Sequence, residues 1–169
     1  GRLAFQSFTL EVGPGNVPPS ISPGGQVYVT LAEDNASSWS APDLNATNSD
    51  GDTLTWSLVA GQEPRHGVAT IEGNGSRPTT FDYVSDANYS GLDSFVMQVS
   101  DGYTGGTANV TVNVTVSPVD DAPVFFGIPL LVAREKVLYT FDVNVTDADG
   151  DALVFAFEGA PSWLSFLDL

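Results

Sequence analysis

The sequence predicts an all-β fold of tandem β-sandwich modules, and three observations carry that prediction. Short runs alternate apolar and polar residues, as in Phe95-Val-Met-Gln-Val-Ser and Val110-Thr-Val-Asn-Val-Thr-Val, which is the pattern of a half-buried strand. No stretch of useful length has a helical period. A proline-rich linker and an acidic turn each occur twice, at nearly equal spacing.

The linker reads Val-x-Pro-x-(Asn/Asp)-x-x-Pro. Val12, Pro14, Asn16 and Pro19 recur 104 residues on as Val116, Pro118, Asp120 and Pro123. The turns are Asn48-Ser-Asp50-Gly-Asp52 and, 99 residues on, Asp147-Ala-Asp149-Gly-Asp151. Each opens an apolar run, Leu54 to Val59 and Leu153 to Phe157. The repeat divides the chain into three pieces. Residues 1–16 read as the closing strand of a preceding module plus its linker, 17–121 as one complete module, and 122–169 as the opening part of a second, truncated one. About 105 residues suffice for a hydrophobic core. The last piece stops at Leu169 with no closing strand, so a longer protein is expected around it.

Taken in order, Phe5 to Val12 alternates like a strand and runs into Gly13-Pro-Gly-Asn-Val-Pro-Pro19. Val112 to Val116 does the same before Ser117-Pro-Val-Asp-Asp-Ala-Pro123. Proline has no N–H to give to a sheet ladder, so both strands must end there. Inside the complete module, strands are expected at residues 26–31, 53–59, 68–71, 79–84, 94–100 and 107–116, with turn residues between them. Their inward set is Val29, Leu31, Leu54, Trp56, Leu58, Ile71, Phe81, Tyr83, Phe95, Met97, Val99, Val110, Val112 and Val114, the core of a Greek-key sandwich. The third piece restarts over residues 137–145, turns at 147–151 and runs on over 152–157. Trp163 and Phe166 follow, and burying them is expected to need the native context or further strands.

Twenty-one acidic residues against five basic ones give a net charge of −16. That argues against nucleic acid, which needs Lys and Arg to displace phosphate counterions. The same charge repels itself in a compact state, and hard cations prefer carboxylate oxygens, so calcium is the expected partner. There is no cysteine, hence no disulfide framework. Asn35, Asn45, Asn74, Asn88, Asn109, Asn113 and Asn144 begin Asn-x-Ser/Thr sequons, candidates for glycosylation or chance matches in Ser/Thr-rich strands. The longest apolar stretch, Ala122 to Ala133, is broken by Pro123, Gly127 and Pro129 and is too short to span a membrane.

His66 is the single histidine, so neither a histidine metal centre nor a Ser-His-Asp triad can be assembled within the chain. The acids stand mainly in turns and linkers, where solvent keeps them ordinary and unsuited to paired-carboxylate catalysis. No enzyme is expected.

Thr79 to Gly102, with its Tyr89-Ser-Gly-Leu-Asp-Ser-Phe95 and Val99-Ser-Asp-Gly102, resembles the signature of cadherin-like tandem repeats of surface adhesins and of chondroitin-sulfate-proteoglycan-type repeats. Pro64-Arg-His-Gly-Val-Ala-Thr-Ile71 matches a strand-opening turn of the same repeats. Phe141 to Phe166, with Asp147-Ala-Asp-Gly-Asp-Ala-Leu153 and Ala160-Pro-Ser-Trp-Leu-Ser-Phe166, is similar to dystroglycan-type cadherin-like domains. The resemblance implies a cadherin-like or immunoglobulin-like sandwich with calcium between successive modules. By motif it implies Glu33, Asp120, Asp121, Asp147 and Asp149 as ligands, with Asp86 or Asp93 in place of an Asp-x-Glu pair. The linker departs from the cadherin form at Ser117 and Val119, which implies one cation site rather than three. The first linker offers Asn16 and no carboxylate, so the second junction is expected to be the stiffer with metal bound.

Asp-Gly-Asp turns also form without metal, through side-chain capping and positive φ; Asp50 and Asp52 are further metal candidates on that footing. Asp147 to Glu158 has the length of an EF-hand loop, but its glycine is displaced from the sixth position and Val154-Phe-Ala-Phe157 reads as strand. Trp56 and Trp163 sit in core-like contexts. Trp39 lies in the polar loop Ser37-Ser-Trp-Ser-Ala-Pro42, where it either marks a contact surface or docks on its own module.

The expected function is an extracellular, cell-surface spacer or adhesive stalk stiffened by calcium at its linkers, with neighbouring repeats as partners. An alternative is a module that binds a glycan or protein through the Trp39 loop. A third reading is a filament component whose exposed strand edges pair between chains.

Overall fold

The structure, a computed structural model, describes residues 9, 15–35, 39–129, 132, 134–156, 158, 159, 162 and 165. The strand expected at Phe5 to Val12 falls almost wholly outside the described residues, as do Trp163 and Phe166. The chain divides into two units, Gly1–Pro118 and Val119–Leu169. Every regular element among the described residues is a strand.

The first unit has eight strands: β1 (Ser20–Ser22), β2 (Gln26–Ala32), β3 (Asn45–Thr47), β4 (Thr55–Leu58), β5 (Gly67–Asn74), β6 (Thr80–Ser85), β7 (Gly91–Ser100) and β8 (Thr107–Ser117). β1 and β3 form a small antiparallel pair, and the rest one sheet in the order β2-β8-β7-β4-β5-β6. β2 runs parallel to β8, while the other neighbours are antiparallel. The sheet curls at β5. Its end pairs with β4 through Asn74 and Gly73, and its body pairs with β6 from Gly67 to Glu72. Gly73 makes the handover possible: its φ is +137°, and a Cβ there would collide with the Thr79 backbone. The Ala46 amide donates to the Ser76 carbonyl at 2.7 Å, which ties β3 to the β5–β6 turn and closes the sandwich.

Alternation decides which side chains go inside. Val27, Val29 and Leu31 of β2 point inward while Tyr28 and Thr30 point out. On β7 the inner row is Asp93, Phe95, Met97 and Val99; on β8 it is Val110, Val112, Val114 and Val116. Leu44, Ala46, Leu54, Trp56, Ile71 and Tyr83 complete the core. Each large apolar member contributes about 1.5–3 kcal/mol through burial. The six strands expected from the sequence are present with ends shifted by at most three residues. β1 and β3 were not expected, and Leu58 and Phe81 pack against the core only half-buried.

The second unit has two strands among its described residues, β9 (Val124–Phe126) and β10 (Asn144–Thr146). Val124 stands opposite Thr146 and Phe126 opposite Asn144. In the first unit Ser20 stands opposite Thr47 and Ser22 opposite Asn45. The two pairs have the same register at repeat-equivalent positions. What differs is burial. Leu44 and Trp56 are 2% exposed, whereas their counterparts Val143 and Phe155 are 38% exposed. Among the described residues no helix is long and apolar enough to cross a membrane.

Candidate functional site

Both acidic turns close on the residue that opens them. Asn48 Oδ1 accepts the amides of Asp50 at 2.8 Å and Gly51 at 3.1 Å. Asp147 Oδ1 accepts those of Asp149 at 3.1 Å and Asp151 at 3.2 Å. Such side-chain capping is what Asn and Asp supply in tight turns, with Gly51 and Gly150 taking the positive φ of 80° and 75°. The middle acid of each turn then reaches the preceding linker. Asp50 Oδ2 accepts the Val17 amide at 2.6 Å, and Asp149 Oδ2 accepts the Asp121 amide at 2.7 Å. One contact is built twice, at equivalent positions.

The first turn is also tied to a buried carboxylate. Asp101, at the end of β7, is 5% exposed. Its Oδ1 accepts the Tyr103 amide at 2.9 Å, and its Oδ2 accepts the side-chain amides of Asn16 at 3.0 Å and Asn48 at 3.3 Å. Asn48 Nδ2 also donates to the Val17 carbonyl at 3.1 Å. Val17 is thereby held by both backbone groups.

The expected calcium ligands are distributed as follows. Asp120, Asp121, Asp147 and Asp149 all lie in the second unit, where the one bond from Asp121 to Asp149 links linker and turn. Asp120, Asp147, Asp149 and Asp151 have no basic side chain as ion-pair partner among the described residues. Their oxygens suit a hard cation, yet no three acidic or histidine side chains among the described residues gather closely enough to hold one. Glu33 is buried at the end of β2, its amide donating to the Ser117 carbonyl at 3.0 Å. Asp50 is engaged with Val17, and Asp52 is half-buried in the first turn. Asp86 is exposed in the loop before β7.

Asp93 has a different task from the metal ligation considered for it. It is buried, and both oxygens are taken: Oδ1 by the amides of Arg65 at 3.0 Å and Ser94 at 2.8 Å, Oδ2 by the His66 amide at 3.0 Å and the Tyr83 hydroxyl at 2.9 Å. Burial pushes this carboxyl up, and the amides of Arg65, His66 and Ser94 with the Tyr83 hydroxyl outweigh it, so it titrates below the ordinary carboxylate range. Burial, then the bond to Asp93, raises the Tyr83 phenol well above its usual value. The imidazole of His66 stacks on Tyr89, ring centroids 4.0 Å apart.

Trp39 docks on its own module. Its Nε1 donates to the Phe81 carbonyl at 3.1 Å, and its ring meets Phe81 edge-on at 5.5 Å and Tyr83 at 5.8 Å. Of the two readings of the polar loop, contact surface or docking on its own module, these contacts match the second. Of the sequon asparagines, Asn35, Asn74, Asn88, Asn109 and Asn144 are exposed, while Asn45 and Asn113 are half-buried in strands.

Sequence reasoning missed Asp101 and the donor role of Asn16 and Asn48. A signal was present, since the second repeat carries Asp120 and Asp147 where the first carries these two amides. The sequence profile described as bacterial Ig domain matches residues 16–115. No curated protein matches the chain.

Proposed function

Because the chain belongs to the bacterial Ig domain family, we propose that it is an extracellular spacer, a stalk or filament segment of cadherin-like kind whose second junction calcium stiffens. Ig-like repeats of this family are typically surface-exposed and generally not enzymes. The observation that carries the reading is the repeated pin from linker amide to turn carboxylate, Val17 to Asp50 and Asp121 to Asp149. A pinned linker has fewer directions in which to leave its module, which is what a spacer needs.

Calcium belongs to the proposal through donor chemistry. Asp120, Asp121, Asp147 and Asp149 of the second unit would hold it, and bound it would supply positive charge against their mutual repulsion. The residues themselves do the rest: Asp147 shapes the turn and Asp149 fixes the Asp121 backbone. Calorimetric titration of the chain with calcium tests this, beside Asp120→Ala and Asp147→Ala. Binding in the parent that both variants lose supports the reading; no binding in the parent removes calcium from it.

A ligand-binding reading moves away from Trp39 to a groove of about 840 Å³ lined by Tyr28, Gln62, Arg65, Leu92 and Asn113. Tyr28 and Leu92 are each 76% exposed there, and Arg65 has no ion-pair partner among the described residues. Glycan-array binding lost in Tyr28→Ala and kept in Trp39→Ala would favour this reading.

A further inference from the structure

We infer that Asn16, Asn48 and Asp101 form a metal-independent clasp that holds the entry linker on the first module. The inference concerns the first linker alone and holds whether or not the second junction binds calcium. It begins with a buried anion. Asp101 is 5% exposed, and no basic side chain reaches it among the described residues. A buried carboxylate must be compensated by donors or by a cation. Here the compensation is one backbone amide and two carboxamides, from Tyr103, Asn16 and Asn48. Bonds to an ionised acceptor are the strong kind.

The orientation of Asn48 settles which end of its amide faces Asp101. Its Oδ1 lies on the amides of Asp50 and Gly51, which can only be donors. Its NH₂ must therefore face the two acceptors, the Val17 carbonyl and Asp101 Oδ2. The turn alone does not require this group, because Asp147 makes the equivalent turn with a carboxylate. An aspartate at 48 would keep the turn and set a negative oxygen against Val17 O and Asp101. The NH₂ thus serves the clasp, not the turn.

Gly106 makes room for it. A Cβ at that position would stand on the Asp101 carboxyl group, and the Asp101 amide donates to the Gly106 carbonyl at 3.0 Å. The hairpin end is shaped around the side chain that receives the linker. At the second linker the matching residues are Asp120 and Asp147, which have no NH₂ to give.

The test is hydrogen exchange of the Val17 amide in the whole chain, in excess EDTA and in millimolar calcium chloride. The clasp predicts the same protection in both media. Asn48→Asp should speed exchange about tenfold or more in EDTA, with the β8 amide of Val112 unchanged as the sign of an intact module. If Asn48→Asp also exposes Val112, Asn16→Ala takes its place and should loosen Val17 without touching Val112. Protection that falls on adding EDTA to the parent, or that survives both substitutions, overturns the inference.

Discussion

The Tyr83 hydroxyl donates to Asp93 Oδ2 at 2.9 Å inside the first module, joining β6 to β7. The same hydroxyl lies 3.1 Å from the His66 carbonyl, and Asp93 holds the Arg65 and His66 amides. One carboxylate thus fastens the start of β5 to the core, where a rearranged loop would leave several polar groups unpaired.

Removing that carboxylate should be costly. Asp93→Ala is expected to destabilise the module by about 3 kcal/mol or more, and Tyr83→Phe by about 1–2 kcal/mol. Urea unfolding followed by far-ultraviolet circular dichroism measures both. Because the two residues touch, the double variant should cost less than the sum of the single ones.

The pH dependence follows in sign. The Asp93 carboxyl titrates below its unfolded value of about 3.9, so its contribution is present above about pH 4 and is lost as pH falls through the folded value. The Tyr83 phenol is raised above its unfolded value of about 10, so its contribution is full below that pH and is lost as pH rises through the folded value. Asp93→Ala should flatten the acid limb of stability against pH, as measured by urea midpoints from pH 2.5 to 7.

Gly106→Ala should destabilise the first module by about 1–3 kcal/mol, since the new Cβ and the Asp101 carboxyl cannot share one place. The loss should shrink in the background Asp101→Ala, where the space is vacated. Thermal melts of the two variants and their combination decide it.

Trp39→Ala is expected to cost about 2 kcal/mol, less than a fully buried tryptophan because the ring is only half-buried. A stability loss in thermal melts with glycan binding unchanged is the expected pair of results.

Much of the fold was legible because alternation is a local signal. In β2, β7 and β8 the apolar residues fall at every second position over long runs, so strand and inward face could be read together. β1 and β3 have three residues each, with a single apolar residue at the centre of Ser20–Ser22 and Asn45–Thr47. That is too little for a period to appear; their pairing comes from docking across the sandwich. The turns and linkers were visible as repeats, but the fates of individual acids were not. Asp93 and Asp101 are buried because donors arrive from Arg65 and His66, and from Asn16 and Asn48, far off in sequence. No local pattern announces such a meeting. Trp39 was legible only as two alternatives: its neighbours in sequence are polar, while the ring lies against Phe81 and Tyr83 of β6.

The proposed stiffening is tested most directly by the spread of distances between the two units. The chain has no cysteine, so Thr30→Cys and Thr146→Cys, both at exposed strand positions, accept spin labels at two known places. Pulsed dipolar spectroscopy should give a narrow distance distribution in millimolar calcium and a markedly broader one in EDTA, with Asp147→Ala broad in both. Equal widths in calcium and EDTA for the parent would contradict a calcium-stiffened spacer.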